Sequence, residues 1–385
     1  MSHDVIVLGA GPAGAVIAWQ CARRGLDVLL VERRPDVAPK CCGHCLHPAA
    51  MVHLDAMGCG EIIRRSARGS TRRGLLILNG DRIVIDRRFD EGGLVISRRT
   101  IDPLLRVAAA DAGADVRTAT AARVVTLDSS GATLEVVEEV GQREWHSAPL
   151  LIGADGIGSA VARAAGLVDR DAVGRKFGFS MSLPARASAA PELDGAIAMF
   201  VERDGYLGVV REGSERLHCA ALISSDARMP TRPLDVITWF AERSTIVARA
   251  LADGWRDDAA DIVATGPLPW RTTARTAPGV ALVGDAAGYV EPFTGEGMRW
   301  AIESAWLLAE ALELGPWNEA VRARYEQAWR ESIGAMHRRC ALVATIVESP
   351  GIVGAVGGLV GMTRRVWPRF SDAALAPFLR KLVPR

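Results

Sequence analysis

The sequence carries almost no net charge. Its 46 lysines and arginines against 45 aspartates and glutamates leave a formal +1 over 385 residues, so no global field draws in nucleic acid or acidic partners. Cysteine is too sparse for a disulfide scaffold: there are seven, three of them crowded into Cys41, Cys42 and Cys45. That usage suits a reducing compartment and a cytoplasmic protein. No internal repeat or low-complexity segment breaks the chain. No signal peptide is read either, because the apolar run Val5 to Leu8 leads into glycines rather than a cleavage site. The one long apolar stretch, Ala341 to Met362, lies between Arg338-Arg339 and Arg364-Arg365. Glu348 and Pro350-Gly351 near its middle argue against a lipid-exposed span. It reads as a packed C-terminal segment. Two expectations stay open for it: closure over a substrate site, or peripheral contact with a membrane through its basic flanks.

What is present is a globular composition, 49% hydrophobic and 24% charged, long enough for more than one domain. The pattern predicts a buried strand at Val5 to Leu8, an apolar helix from Pro12 to Arg24 and a second buried strand at Val28 to Val31. Together they make a βαβ unit. A helix is predicted from Pro48 to Met57 and another from Arg99 to Ala112. Between them lie β-like runs broken at Asn79-Gly80 and Gly92-Gly93. A strand and a meander come next, and then a short buried strand at Leu150 to Ile152. Residues 172–268 change character: strands at Phe177 to Leu183, Ala196 to Val201, Leu207 to Val210 and Leu217 to Ile223 predict an antiparallel sheet, with a helix after it at Leu234 to Glu242. The first pattern resumes at Val280 to Val283. Long helices are predicted at Gly297 to Leu314 and Trp317 to Thr345.

Three motifs carry chemistry. Gly9-x-Gly11-x-x-Gly14, with Pro12 and Ala13 inside it, comes after a strand and opens a helix. Such glycines allow a tight turn, close approach of a pyrophosphate and close helix packing, with the phosphates at a positive helix N-terminus. Glu32, with Arg33 next to it, ends the second strand, where a carboxylate can take ribose hydroxyls. The second motif, Gly153-Ala154-Asp155-Gly156, also sits at a strand end. The third is Gly284-Asp285-Ala286-Ala287-Gly288, continued by Pro292-Phe293-Thr294-Gly295-Glu296-Gly297-Met298. A flavin has a chain of hydroxyls between ring and pyrophosphate, and a carboxylate such as Asp285 can accept from it. The glycine-rich turn and helix start can stabilise charge on the reduced ring. The first motif alone does not separate NAD from FAD; the later two point to FAD.

With these motifs in this order, residues 1 to about 315 resemble the FAD-dependent oxidoreductases of the p-hydroxybenzoate hydroxylase-like superfamily. The geranylgeranyl reductases and polyketide-tailoring flavoproteins are the nearest branches. The resemblance implies an α/β fold with a Rossmann-type, glutathione-reductase-like FAD domain in three pieces, residues 1–75, 95–171 and 269–315. It further implies a β-sheet substrate domain from 76–94 and 172–268, and a helical C-terminal segment over 316–385. It implies that Gly9, Gly11, Gly14 and Glu32 hold the adenosine diphosphate half, and that Arg98 opens a helix beside the cofactor. Asp155 and Gly156 would meet cofactor and nicotinamide, and Gly284 and Asp285 the ribityl chain.

Lys40-Cys41-Cys42-Gly43-His44-Cys45-Leu46-His47-Pro48 resembles the Lys-x-Cys-Gly-x-x-Leu-x-Pro segment of the reductase branch, which places a cysteine, here Cys42, near the flavin as a catalytic candidate. Inert packing of the thiols, and a zinc site or Cys42–Cys45 redox pair, are the competing readings; no metal ligand is assigned. The reductase motif Gly-Tyr-x-Trp-x-Phe-Pro is incomplete in Gly205-Tyr206-Leu207-Gly208-Val209-Val210-Arg211, and the halogenase signature is absent. The leading expectation is therefore NAD(P)H-dependent hydroxylation or oxidation of an apolar polyketide, aromatic or isoprenoid molecule. NAD(P)H would bind transiently, since there is one dinucleotide fingerprint. Double-bond reduction is the alternative, and a non-catalytic flavin-binding protein the alternative of another class. Phe177, Phe179, Met181, Met199, Phe200, Tyr206, Trp239 and Phe240 are candidate substrate contacts, with core packing as the competing reading.

Overall fold

Strands at Val5–Leu8, Val28–Val31 and Leu150–Gly153 are apolar and buried along their whole length, as strands covered on both faces must be. They form the centre of a six-stranded sheet, in the order Thr276–Ala277, Val280–Leu282, Leu150–Gly153, Val5–Leu8, Val28–Val31, Asp115–Arg117. All pairs are parallel except the first, which is an antiparallel hairpin. The architecture comes from a computed structural model that describes residues 1–34, 39–137, 141–172, 174–291, 293 and 295–347.

The helix Pro12–Ala22 has no polar face, and ten of its eleven residues are buried. That fits a helix enclosed on all sides. It packs between the helices Arg98–Asp111 and Gly297–Leu312. A three-stranded meander, Ala121–Asp128, Gly131–Val137 and Arg143–Ala148, lies beside the sheet.

The second large sheet has eight strands: Ala260–Leu268, Lys176–Pro184, Arg216–Ser224, Gly205–Glu212, Ala196–Glu202, Gly69–Leu78, Arg82–Val95 and Cys45–Leu46, in spatial order. One face packs on the helices Pro233–Ala241 and Thr245–Ala250. The opposite face meets Ile157, Tyr289 and Phe293 from the first unit. The space between the units therefore has one sheet's strand ends as one wall and the other sheet's face as the opposite wall.

The sheet differs from its sequence expectation in four ways. The pair Ala196–Glu202 with Gly69–Leu78 is parallel, because the chain leaves for the first unit between those strands and returns in the same direction. The strand Gly69–Leu78 is wholly in this sheet, so a boundary between 75 and 76 cuts it. Gly92-Gly93 does not end a strand; it lies where the register of Arg82–Val95 shifts against Gly69–Leu78, the usual place for glycine in a strand. The strand Ala260–Leu268 and the short helices Gly60–Ser66 and Thr245–Ala250 were not anticipated. In addition, the expected long helix after Trp317 is two helices, Glu319–Glu331 and Ile333–Val347, broken at Ser332, whose ψ of −83° leaves the helical range. Residues 348–385, which hold most of the apolar C-terminal stretch, lie outside the described residues, and no helix among those described is long and apolar enough to cross a membrane.

The first turn depends on close backbone approach. A Cβ on Gly14 would stand 1.8 Å from the Gly9 carbonyl oxygen, and one on Gly9, whose φ is +100°, would stand 2.4 Å from the Ala154 oxygen. Gly14→Ala is expected to destabilise the protein by about 3 kcal/mol, as overpacking against fixed backbone does. Denaturant titration checks this; a loss under about 0.5 kcal/mol would show that the helix can stand off the strand.

Candidate functional site

A cleft of about 650 Å³ opens between the two units. Gly9, Gly11, Pro12, Ala13, Glu32, Arg33, Cys42, Arg98, Asp155, Gly156, Gly284, Asp285, Gly295, Gly297 and Met298 all line it. These residues come from separated parts of the sequence, brought together because the parallel strands all end on one side of their sheet.

Gly14 stands behind the wall, packed on Gly9. Glu296 also stands back. It precedes the helix Gly297–Leu312 and pairs with Arg299 Nη1 at 2.8 Å. Pro292 lies outside the described residues. Asp155 lines the cleft, but its carboxylate is turned to the helix Ala160–Ala164: it accepts from Ser159 Oγ at 2.5 Å and from the Ala160 N–H at 2.6 Å. That is helix capping, so its side chain meets the helix start rather than the open space.

At the first turn, Glu32 Oε2 accepts from the Ala10 N–H at 3.1 Å and Oε1 from the Arg34 N–H at 3.2 Å. Arg98 is held by Asp102 in a two-point ion pair of 2.6 and 2.8 Å, one helical turn apart. Its Nη2 comes within 3.2 Å of where a Gly11 Cβ would be, and Lys40 Nζ within 3.7 Å. Lys40 also lies 3.8 Å from Glu32 and 3.6 Å from Asp102. Burial first, and then the Arg98 charge, pull the Lys40 ammonium below its ordinary range. Two cations and a helix N-terminus crowded at a bare glycine make a cradle that a pyrophosphate would fill and neutralise. Lys40 was not anticipated as a site residue; its signal is that it is a lone lysine just before the cysteine cluster.

At the far end, the turn Gly284–Ala287 is fixed from three sides. The Gly284 N–H donates to Ser304 Oγ at 2.7 Å, Trp270 Nε1 to the Ala286 oxygen at 3.3 Å and Thr272 Oγ1 to the Ala287 oxygen at 2.6 Å. Burial raises the Asp285 carboxyl to about 6, against the lowering charges of Arg98 and Lys40. A half-buried carboxylate that has no strong partner among the described residues suits hydroxyl donors from a ligand. Beyond it, Gly295 and Gly297 open the helix Gly297–Leu312, so a second helix N-terminus faces the cleft. Tyr289 and Glu291 also line this end, with Lys176 Nζ 2.9 Å from Glu291 Oε2. Neither Tyr289 nor Glu291 was anticipated, because each comes after the motif without belonging to it.

Of the eight candidate substrate contacts, Met199 and Tyr206 stand on the cleft face of the sheet, while Phe179 borders the cleft but packs in the core on the other side. Met181, Phe200, Trp239 and Phe240 belong to the core on the other side of the sheet, and Phe177 is exposed. Strand alternation explains the split: adjacent residues such as Met199 and Phe200 point to opposite faces. Cys41, Cys42 and Cys45 line the cleft as free thiols. Burial raises all three, Cys41 and Cys45 to about 12. Among the described residues, the cluster of three metal-type donors is His44, Glu212 and His218, and it contains none of the cysteines.

A βαβ unit with a cationic glycine turn, a half-buried carboxylate on a second strand end, and a covering sheet define an FAD-dependent oxidoreductase. The residues fit the cofactor from the pyrophosphate cradle at Gly11 to the carboxylate of Asp285. The chain belongs to the FAD binding domain family, which matches residues 2–332. It is 30% identical over 354 residues to digeranylgeranylglycerophospholipid reductase 2 of Methanopyrus kandleri, covering 87% of this chain and 84% of that one. Its fold is similar to the myxobacterial chondrochloren halogenase, with a TM-score of 0.75, 20% identity and 88% and 81% of the two chains covered. It is also similar to a flavoprotein/dehydrogenase from Cytophaga hutchinsonii, with a TM-score of 0.76, 19% identity and 93% and 88% covered.

The raised Asp285 carboxyl has a signed consequence for the FAD-free protein. Its folded pKa of about 6 lies above the ordinary 3.8, so its contribution to stability is complete below about pH 4 and is lost as pH rises through 6. The stability of FAD-free protein is expected to fall between pH 4 and 7, with about 2 kcal/mol of the fall due to this group. Asp285→Asn should remove that part of the slope in denaturant titrations. An unchanged slope would place the carboxylate in a solvated setting.

Proposed function

We propose that this enzyme reduces a carbon–carbon double bond in an apolar, isoprenoid-like small molecule, with NAD(P)H as transient electron donor. The observation that carries the reading is the Cys42 thiol at the cleft, between the cofactor cradle and the face of the covering sheet. The similarity to a digeranylgeranylglycerophospholipid reductase supports the substrate class. Hydroxylation or oxidation, the leading expectation from sequence, becomes the second reading.

Flavin held here and first reduced by hydride from NAD(P)H would supply a hydride to one carbon of the double bond. The neighbouring carbon then needs a proton. Cys42, kept protonated at neutral pH by its burial, gives its proton to that carbon, and the Arg98 charge favours the thiolate left behind. Solvent returns the proton afterwards. Gly9, Gly11, Pro12, Ala13 and the helix they open hold the pyrophosphate, with Arg98 and Lys40 as counter-charges. Glu32 takes the ribose hydroxyls and Asp285 those of the ribityl chain. The helix start at Gly295 to Met298, which lines the cleft, would stabilise negative charge on a reduced flavin ring.

Hydroxylation of a flat aromatic molecule is favoured by a different observation. Ala220 and Gly208 are register neighbours on adjacent strands and leave a low floor in the cleft face of the sheet. Gly208 stands where the reductase motif would have tryptophan. Three thiols at the cleft weigh against this reading, since activated oxygen oxidises thiols.

The test is anaerobic turnover of FAD-loaded protein with NADPH and a prenylated lipid such as a digeranylgeranyl glycerophospholipid, with mass spectrometry of the product for added hydrogen. Cys42→Ser is expected to slow turnover about 100-fold with FAD retained, whereas Asp285→Ala should weaken FAD binding at least tenfold. A product that gains oxygen in air and no hydrogen without it would replace reduction by hydroxylation. An unchanged rate for Cys42→Ser would remove the thiol from the proton transfer.

A further inference from the structure

One buried polar cluster lies beside the cofactor cradle and has no part in holding it. His44 has φ of +56°, a conformation that residues other than glycine rarely adopt. It is 6% exposed, and its Nδ1 lies 2.6 Å from Glu212 Oε1. The other Glu212 oxygen accepts from Ser182 Oγ at 3.2 Å, and Arg216 Nε donates to the same hydroxyl at 2.8 Å. Beneath His44 the His218 ring is stacked, with centroids 3.4 Å apart and planes within 16°. His218 is 2% exposed, and its Nε2 lies 2.5 Å from the Cys42 carbonyl oxygen.

Proton counting fixes the roles. A carbonyl only accepts, so His218 Nε2 carries the hydrogen and donates it. Burial and then the charge of His44 lower His218 to about 3, so the ring is neutral and its Nδ1 keeps a bare lone pair, buried without a hydrogen-bond partner. Burial would raise Glu212, but the His44 hydrogen bond and charge override it and hold the carboxyl at about 2. The three groups place donor atoms within 4.8 Å of one another, yet they do not make a chelate. In rings this nearly parallel, lone pairs in the ring planes cannot converge on one ion. The arrangement grips the chain instead: the Cys42 carbonyl is held by His218, and the Cys42 N–H donates to Ser180 Oγ at 3.3 Å. Both backbone polar groups of the cysteine are thus tied to side chains of the covering sheet.

We propose that His44, Glu212 and His218 are positioning residues: a buried clamp that fixes Cys42 at the boundary of the cofactor cradle and the covering sheet. The catalytic consequence rests on the proposed double-bond reduction; the clamp itself does not. Loss of the clamp frees the Cys42 peptide and lets its thiol leave the cleft wall, while the glycine turn, the helix it opens and the Arg98–Asp102 pair, all on other elements, keep FAD.

The test uses FAD-loaded full-length protein with His218→Leu, Glu212→Gln and His218→Gln. Alkylation by iodoacetamide is timed at each cysteine by peptide mass spectrometry, alongside the flavin spectrum and turnover. In His218→Leu and Glu212→Gln, Cys42 is expected to react at least tenfold faster, with FAD content unchanged and buried Cys21 and Cys59 no faster. Glutamine at 218 can still donate to the Cys42 carbonyl, so His218→Gln should return the Cys42 rate to within threefold of the parent. An unchanged Cys42 rate in folded, FAD-loaded His218→Leu, or equal acceleration at all three cysteines, would overturn the clamp. Faster Cys42 alkylation with Cys42→Ser turning over normally would keep the clamp and sink the catalytic role of the thiol. Slower turnover in His218→Leu, restored in His218→Gln, would support both.

Discussion

The site depends on how closely the first helix approaches the strands beneath it. With Gly14 against the Gly9 carbonyl and Gly9 against Ala154, there is no room for a side chain, and the helix N-terminus sits at the ends of Val5–Leu8 and Leu150–Gly153. That contact places the bare backbone of Gly11 in the cleft and brings Arg98 and Lys40 around it. The two cations are not free to settle elsewhere, because Asp102 holds one through two hydrogen bonds and lies 3.6 Å from the other. Their mutual repulsion is relieved most simply by an anion between them and the helix start. Affinity for a pyrophosphate is thus built into the packing of the fold.

The other end of the cleft obeys a different rule. Asp285 is anchored by its backbone, with Ser304, Trp270 and Thr272 gripping the turn around it, so its carboxylate is left for a ligand. Asp155 ends an adjacent strand in a similar acid-glycine pair, yet its carboxylate caps a helix. The difference lies in the residues C-terminal to each acid. Ser159 and the N–H groups of Ala160 and Val161 curl back onto Asp155, while the short turn after Asp285 directs its N–H groups elsewhere. Two acids that look alike in sequence are separated by the loop geometry behind them.

The same contrast decides which parts were legible in the sequence. The central strands of the first sheet could be read because they are uniformly apolar and most run into glycine motifs, and Val5–Leu8 and Val28–Val31 fall where predicted. The helix Pro12–Ala22 ends two residues short of its predicted end. The covering sheet could be read as strands but not as faces. Nothing in the string Met199-Phe200 says which residue meets the cleft until the register with Gly208 and Leu207 is known. The strand Ala260–Leu268 was hidden by its half-exposed, alternating character and by Pro267. Lys40, Tyr289 and the clamp around His44 were hidden for another reason. Their roles come from contacts between separated segments, such as Lys40 with Asp102 and His44 with Glu212, and a single sequence does not record those contacts.

The choice between reduction and oxygen chemistry turns on the cysteines. Burial keeps Cys41, Cys42 and Cys45 protonated, which slows their oxidation without preventing it. A site built to handle activated oxygen gains nothing from three thiols in its wall. A site that must protonate a strongly basic carbon gains a donor whose proton stays in place until that carbon forms. The two hydrogen bonds to the Cys42 backbone fix where that thiol sits in the wall. The low floor formed by Ala220 and Gly208 is compatible with either chemistry, because it limits the thickness of the ligand and not the bond that reacts. The arrangement of the thiols therefore discriminates between the two reactions more sharply than the shape of the pocket, and it favours transfer of hydrogen.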